Sequence, residues 1–251
     1  MILYEYPLNE RIRTFLRLEH LFTRLRHLIT EESSVSHHFS LATIFEIMDV
    51  CGRADLKTEV MKDIERQRQL LKGFRGNPAI SEVILDQVIR QLDTCYDNLS
   101  IIQGKVGQNL AENDWLMSIR SRIAIPGGTC EFDLPAYYFW LQKSSASRQT
   151  QLANWARSLF PMESAIKLLL HMLRESGAPQ KVIATNGVFQ QNLPLGRTCQ
   201  LLRVAVNPSY DLIPEISGNR LMFSIRFLQL LQDGRLQARS DSTPVELTLC
   251  S

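Results

Sequence analysis

The spacing of apolar residues changes once along this chain, near Gly177, and this change most constrains the fold. Before Gly177, most segments show the 3.6-residue spacing that is typical of amphipathic helices. After it, short apolar runs and alternating patterns lie between turn residues, as they do in antiparallel strands. The sequence therefore predicts an α+β protein. A mainly helical domain over residues 7–176, with an extended insertion near 123–134, is expected to pack on a smaller antiparallel β-domain over residues 177–251 plus 1–6.

The helical part is predicted from apolar stripes and from residues that begin or end helices. Asp55 and Ser81 are suitable N-caps, and Gly73 is a suitable C-terminal stop. The helix after Ser81 is expected to bury Val83, Ile84, Val88, Ile89 and Leu92. Helices are expected over 7–29, 37–51, 55–73, 81–99, 112–122, 134–143, 147–159 and 162–176.

The β-part is predicted from turn chemistry and alternation. The Asn186-Gly187 pair suits a type I′ turn and predicts a hairpin that joins 182–185 to 188–190. Two earlier pieces, 2–6 and 129–133, lack a helical pattern, and we expect both to join the sheet because an isolated strand is unstable. Further strands are expected over 201–206, 221–230 and 245–249.

The first helix carries a polarised pattern of charge. Its apolar residues gather on one side of the helix: Leu18, Leu21, Phe22, Leu25, Leu28 and Ile29. The opposite side gathers the basic residues Arg13, Arg17, His20, Arg24 and His27, with no matching acid inside the same sector. A solvated helix face is the ordinary interpretation of such a ridge. The alternative is that it binds an acidic partner.

Composition and charge exclude several functional classes. The net charge of +2 and a sequence pI near 8.3 are too low for generic binding of nucleic acid. The N-terminus lacks the pattern of a secretory signal, and no apolar stretch approaches the length of a membrane span. The five cysteines are scattered, with no CxxC pair, which favours a reducing cytoplasm and argues against a zinc site. We therefore expect a cytoplasmic protein with no membrane partner, metal or cofactor.

A search for catalytic patterns finds none that is convincing. GxSxG, P-loop, HExxH and GxGxxG motifs are absent from the sequence. His37-His38 has no Cys or acid at metal-ligand spacing, and the pair Glu131 and Asp133 has no third group nearby in sequence. The three tryptophans, Trp115, Trp140 and Trp155, lie at helical positions that favour core or interface burial. The sequence therefore predicts no enzyme, although a site built from distant residues stays open.

The remaining candidates are arginines. Arg203, Arg220 and Arg226 interrupt strand-like segments, so each points away from its immediate apolar neighbours. Arg53 lies in the turn after the second predicted helix. A solvated face is again the ordinary interpretation. Because guanidinium groups capture carboxylates in bidentate fashion, an acidic peptide is the natural guest for these arginines.

Five stretches in fixed order carry a family resemblance over nearly the whole chain. They are YPLNERIRTFLRLEHLF (6–22), IMDVCGRADLKTEVMKDIERQ (47–67), SRIAIPGGTCEFDLPAYYFWL (121–141), NGVFQQNL (186–193) and PEISGNRLMFSIRF (214–227). Through them the chain resembles the ZapD family of Z-ring-associated cell division proteins. The resemblance implies a helical domain beside a β-domain, a homodimer without enzymatic activity, and a place at the mid-cell division site. It also implies bundling of FtsZ filaments through their flexible C-terminal tail.

The resemblance assigns the tail-binding surface to a basic pocket. Arg17, Arg53 and Arg226 match basic positions of the family. Met222 stands where a basic residue can occur, and Arg220, two residues away, is expected to substitute for it. Trp115 and Tyr138 stand where relatives can carry Arg and His, so the helical patch is expected to be less basic here. The predicted tail-binding set is Arg17, Arg53, Arg203, Arg220 and Arg226, with Arg13, Arg24 and Arg122 as further candidates.

Two functions from other classes stay open at this point. The same arginines could serve a nucleic-acid-binding or other adaptor protein, although aromatic residues are not interleaved with the basic ones. The second is an enzyme whose active site is assembled from residues that are distant in sequence. The resemblance favours FtsZ and a second copy of this chain as partners, with no nucleic acid.

Overall fold

The computed structural model describes residues 1–53, 55–194, 196, 198–219 and 221–251. Its helices are α1 (Glu10–Thr30), α2 (Ser34–Cys51), α3 (Leu56–Lys72), α4 (Glu82–Ser100), α5 (Gln108–Ala111), α6 (Asp114–Ile123), α7 (Pro135–Leu141), α8 (Ser145–Ala156) and α9 (Phe160–Arg174). Its strands are β1 (Ile2–Pro7), β2 (Pro179–Ala184), β3 (Val188–Asn192), β4 (Leu201–Val206), β5 (Ile213–Gly218), β6 (Met222–Leu230), β7 (Leu236–Ala238) and β8 (Thr243–Cys250). Short 3₁₀ turns cover Arg157–Leu159 and Pro208–Tyr210. The predicted α+β class is confirmed. None of the helices is both long and apolar enough to cross a membrane, for the residues described.

The chain forms two compact units. The β-rich unit comprises residues 1–16 and 170–251, and the helical unit comprises residues 17–169. The division falls inside α1 and α9, so each of these helices has one end in each unit.

The β-rich unit contains two antiparallel sheets where the sequence suggested one. The described strands of the first sheet run in the order β1-β4-β8-β2, and those of the second run β3-β6-β5, with β7 beside β6. The N-terminal strand pairs with β4 as expected, Ile2 opposite Val206 and Pro7 opposite Leu201. One buried cluster takes side chains from both sheets: Ala184, Leu202, Val204, Val206, Leu212, Phe223, Ile225, Phe227, Val245 and Leu247. The two sheets therefore share a core, as in a β-sandwich.

The predicted hairpin exists only at its turn. Asn186 and Gly187 both have positive φ, and Thr185 bridges to Val188, as a type I′ turn requires. Beyond the turn, however, β2 pairs with β8 and β3 pairs with β6. A Cβ on Gly187 would lie 1.8 Å from the carbonyl oxygen of Arg239, so only glycine lets the turn approach this backbone. The turn thus connects the two sheets.

The expectation that 129–133 joins a sheet is wrong. The amide of Cys130 donates to the carbonyl of Gly127, and the amides of Asp133 and Leu134 both donate to that of Cys130. Successive turns therefore satisfy the backbone locally, and the segment needs no strand partner.

The apolar stripe predicted for α4 is shifted. The residues buried on α4 are Leu85, Ile89, Leu92, Cys95 and Leu99, which repeat at helical spacing. Val83 and Ile84 are instead 75% and 63% exposed. Because Val83, Ile84 and Leu85 are consecutive apolar residues, the sequence did not fix which of them begins the stripe. Ser81 and Asp55 occupy the N-cap positions as predicted, but neither side chain makes a capping hydrogen bond.

A buried arginine ties three segments of the helical unit together. Arg148 Nε donates to Nδ1 of His37 at 2.8 Å, and Nη2 donates to the carbonyl of Glu32 at 2.9 Å. Nη1 donates to the carbonyls of Leu141 and Lys143. Since a guanidinium only donates, Nδ1 accepts and the neutral His37 ring carries its proton on Nε2. This Arg148 clamp joins α8 to three segments: the α1–α2 connection, α2, and the end of α7 with the connection that follows it.

A second buried charge, Glu163 on α9, is paired twice. Arg26 donates to it through Nε and Nη2, and Lys167 Nζ lies 2.7 Å from Oε1. The Arg26 guanidinium also lies 3.6 Å from the centroid of the Phe160 ring. Burial alone would raise the pKa of Glu163, but the hydrogen bonds from Arg26 and Lys167 hold it below its ordinary value.

Because His37 is buried in the Arg148 clamp, we expect the free energy of unfolding to fall on mild acidification. Burial lowers the pKa of His37; the carbonyl of Glu31 opposes the shift, and the Arg148 charge adds to it. A lowered folded pKa means that the unfolded chain binds the proton first, below about pH 6.5. The free energy of unfolding in urea should therefore be lower at pH 5.5 than at pH 7.5, and His37→Gln should lose less over this interval. His20→Gln, at an exposed histidine of α1, is the control for the loss of a histidine as such. An identical pH slope for His37→Gln and the wild type would contradict this assignment.

Candidate partner-binding site

The basic face of α1 is partly neutralised. Arg13 Nε lies 3.2 Å from Glu10, one turn earlier, and the Arg13 guanidinium lies 5.9 Å from the Tyr6 ring centroid. Arg24 donates to Thr43 and is paired with Glu46, both on α2. The pattern of α1 alone could not show Glu46, which comes from another helix. Arg17 is exposed, while Leu18, Leu21, Phe22 and Leu25 are buried as predicted.

Arg53 lies exposed in the turn between α2 and α3. Beside this turn is a cavity of about 320 Å³, which Gly52, Asp49, Lys105 and Arg120 help to line. Arg120 forms an ion pair with Asp49 at this cavity. Lys105 and Arg120 were not among the residues predicted from sequence, because no motif marks either of them.

Arg203 is half-buried and holds a carboxylate. It lies opposite Glu5 in the β1–β4 register, and its Nε donates to Glu5 Oε1 at 3.1 Å. Arg174, at the end of α9, donates to both oxygens of Glu5, at 2.9 and 2.7 Å. Two guanidinium groups, those of Arg174 and Arg203, therefore share the carboxylate of Glu5. Sequence reasoning missed Arg174, because it lies at a helix end with no motif around it.

Arg226 is the most accessible of the predicted strand arginines that the structure describes. It lies on β6 opposite Glu215 of β5, between the buried Ile225 and Phe227. Nε and Nη2 donate to one oxygen of Glu215, at 2.9 and 2.5 Å. The two side chains are 56% and 54% exposed. The predicted alternation along this strand is confirmed.

The two predicted strand arginines that the structure describes lie in different sheets. Arg203 belongs to the first sheet and Arg226 to the second. Arg220 lies outside the described residues. Arg17, Arg24, Arg53 and Arg122 belong to the helical unit, whereas Arg13 joins Arg203 and Arg226 in the β-rich unit. Arg122 is exposed and lies 3.7 Å from Asp133.

An aromatic pocket in the helical unit was not predicted as a site. Trp115 stacks on Trp155 with centroids 5.3 Å apart, and Trp140 stacks on Tyr137 at 5.8 Å. A cavity of about 490 Å³ opens on this cluster, and its lining includes Trp115, Phe139, Trp140, Lys143, Gln151 and Trp155. We call this cavity the aromatic pocket. The helical spacing of the tryptophans pointed to burial, but sequence could not show that three helices bring them to one cavity.

Comparison with known protein families decides the family. The family model described as "ZapD: Cell division protein" matches residues 16–226. The chain belongs to the ZapD family of cell division proteins. The match covers Arg17, Arg53, Arg203 and Arg226 and leaves Arg13 outside. Among the described residues, no cluster of three or more His, Cys, Asp or Glu side chains could hold a metal ion.

Proposed function

We propose that this member of the ZapD family binds the acidic C-terminal tail of FtsZ and, as a homodimer, crosslinks FtsZ filaments at the division site. The proposal includes a cytoplasmic location and no catalysis or nucleic-acid binding. Membership of a cell division family supports it. The observation that carries it is the exposed pair of Arg226 and Glu215 on the second sheet.

Arg226 is suited to release the carboxylate of Glu215 and to bind a carboxylate of the tail instead. An exposed ion pair contributes only about 0.2–1 kcal/mol to stability. Little free energy is therefore lost when a carboxylate of the tail displaces the Glu215 carboxylate from Arg226. The present contact uses one oxygen of Glu215. A tail carboxylate that binds with both oxygens gains the stronger bidentate geometry.

In the proposal the other arginines supply further contacts to the tail, each described on its own unit. Arg17 and Arg53 present charge on the helical unit, with Arg13, Arg24 and Arg122 as further contacts. Arg203 contributes from the cluster that it forms with Glu5 and Arg174. Arg220 completes the predicted set. Each contact adds affinity that falls with rising salt.

A dimer explains how weak contacts bundle filaments. A short tail on a basic surface forms a small interface, for which micromolar affinity is expected. A dimer has two such surfaces, and every filament displays many tails. The effective concentration can then raise avidity by roughly 10²–10⁴.

Two measurements test the proposal. A labelled peptide of the FtsZ tail should bind with micromolar affinity, whereas a scrambled peptide and a DNA duplex at the same salt should bind at least about tenfold more weakly. Sedimentation should show more FtsZ polymer in the low-speed pellet when the protein is added. Tighter binding to the duplex than to the tail would favour the nucleic-acid alternative. No effect on sedimentation would overturn the proposed function.

A further inference from the structure

The lining of the aromatic pocket defines the chemistry of its guest. Trp115, Phe139, Trp140 and Trp155 supply four aromatic rings, and Lys143 Nζ lies 5.7 Å from the Phe139 centroid. The Trp140 indole N–H already donates to Gln151 Oε1 at 2.6 Å. None of the described lining residues is acidic. A cationic guest would meet Lys143 without a compensating carboxylate, so the pocket suits an aromatic side chain accompanied by an acid.

The chain itself exposes a segment of this chemistry. Phe132 is 79% exposed, and the exposed Glu131 precedes it. An exposed phenylalanine between two acids, in a segment held by local turns, is a preformed anchor. Because Phe132 is largely exposed, it does not occupy the pocket of its own chain.

The anchor and the pocket lie on adjoining segments. Phe132 precedes the first residue of α7 by three positions, and Phe139 on α7 lines the pocket. Tyr138 and Phe139, on the same helix, are 46% and 68% exposed. A two-fold axis beside α7 would therefore let two copies exchange anchors reciprocally, in a closed isologous contact.

We propose that Phe132 of each copy inserts into the aromatic pocket of a second copy, with Glu131 beside the partner's Lys143. The proposal rests on the homodimer of the proposed function and specifies its contact surface. Each dimer then has two aromatic anchors in aromatic pockets, the arrangement in which interface energy concentrates. The charge of Glu131 against Lys143 fixes which way the anchor enters.

Sedimentation equilibrium of the full chain tests the exchange. Phe132→Ser should weaken dimerisation at least about 100-fold, because each dimer loses two anchors. Phe74→Ser, at a phenylalanine that is 47% exposed on the turn after α3, is the matched control and should leave the dimer unchanged. Circular dichroism verifies that both variants fold. A dimer of Phe132→Ser with wild-type affinity overturns the proposal.

A charge exchange provides a second, independent test. Lys143→Glu should weaken the dimer about tenfold or more, because Glu131 then meets a like charge. Adding Glu131→Lys to Lys143→Glu should restore most of the affinity. Failure of the double variant to recover, with both variants folded, overturns the proposed pairing.

Tryptophan fluorescence distinguishes the two possible guests. The chain has three tryptophans, and all of them line the aromatic pocket. Dilution through the dimer–monomer transition should change the emission of the wild type but not that of Phe132→Ser. If the FtsZ tail peptide changes the emission instead, and Lys143→Glu removes this change, the pocket is a tail site and the dimer proposal fails. If the dimer depends on Phe132 but the protein does not bind the tail peptide, only the proposed function is overturned.

Discussion

FtsZ filaments mixed with an Arg53→Glu, Arg226→Glu double variant should stay unbundled. If these arginines bind the acidic tail as proposed, each reversal replaces an attraction with a repulsion. A charge-assisted contact is worth about 1.5–3 kcal/mol, so each single variant should bind the tail peptide at least about tenfold more weakly. Because the proposed bundling engages both surfaces of a dimer, we expect a larger loss in filament sedimentation than in peptide binding. Peptide anisotropy and low-speed sedimentation are the measurements.

The matched control keeps the total charge equal. Arg75→Glu with Arg235→Glu also reverses one arginine on each unit, and both residues are exposed and paired with nearby acids, Asp86 and Asp233. This variant should bundle filaments like the wild type. If it fails equally, net charge rather than a defined site governs bundling. If folded Arg17→Glu, Arg53→Glu and Arg226→Glu variants all bundle normally, the site assignment is wrong even though the family is right.

Arg148→Met should destabilise the helical unit by at least about 1–3 kcal/mol, the typical cost when a buried acceptor is left without its donor. Methionine fills similar space but donates nothing. The carbonyls of Glu32, Leu141 and Lys143 then lose their donor, and His37 loses the guanidinium N–H at Nδ1. Urea unfolding at pH 7.5, followed by circular dichroism, measures the change.

Arg157→Met is the control for this variant. Arg157 is exposed and donates to Asn154 three residues earlier, so its loss should change the free energy of unfolding by no more than about 0.5 kcal/mol. Equal stability of the two variants would show that the Arg148 clamp is not a stabilising network. Because the clamp holds the carbonyl of Lys143, Arg148→Met should also disturb the side of the aromatic pocket where Lys143 lies.

Local patterns were predictable because local geometry produces them. On α1 the burial of Leu18, Leu21, Phe22 and Leu25 follows from helical spacing alone. The alternation of Arg226 with Ile225 and Phe227 follows from the two-residue period of a strand. The turn at Asn186-Gly187 follows from backbone sterics, which few other residue pairs satisfy.

Pairing over long distances was not predictable by the same means. The segment 129–133 lacks a helical pattern and was expected to be a strand, yet local turns satisfy its backbone groups. Because residues 83–85 are all apolar, the sequence did not show which of them begins the buried stripe of α4. In the packed structure it is Leu85. The sheet partners of β2 and β3 diverge after their shared turn, because the buried cluster draws side chains from both sheets.

By itself the sequence determined the α+β class, most helices and strands, the family and a set of candidate arginines. Only the tertiary structure decided what those arginines meet: Glu46 for Arg24, Glu5 for Arg203 and Glu215 for Arg226. It also assembled the aromatic pocket and left Phe132 exposed. The physical reason is the distance along the sequence between the residues that interact. Periodicity and turn sterics act within a few residues, whereas an ion pair or a cavity depends on side chains that are distant in sequence until the chain folds.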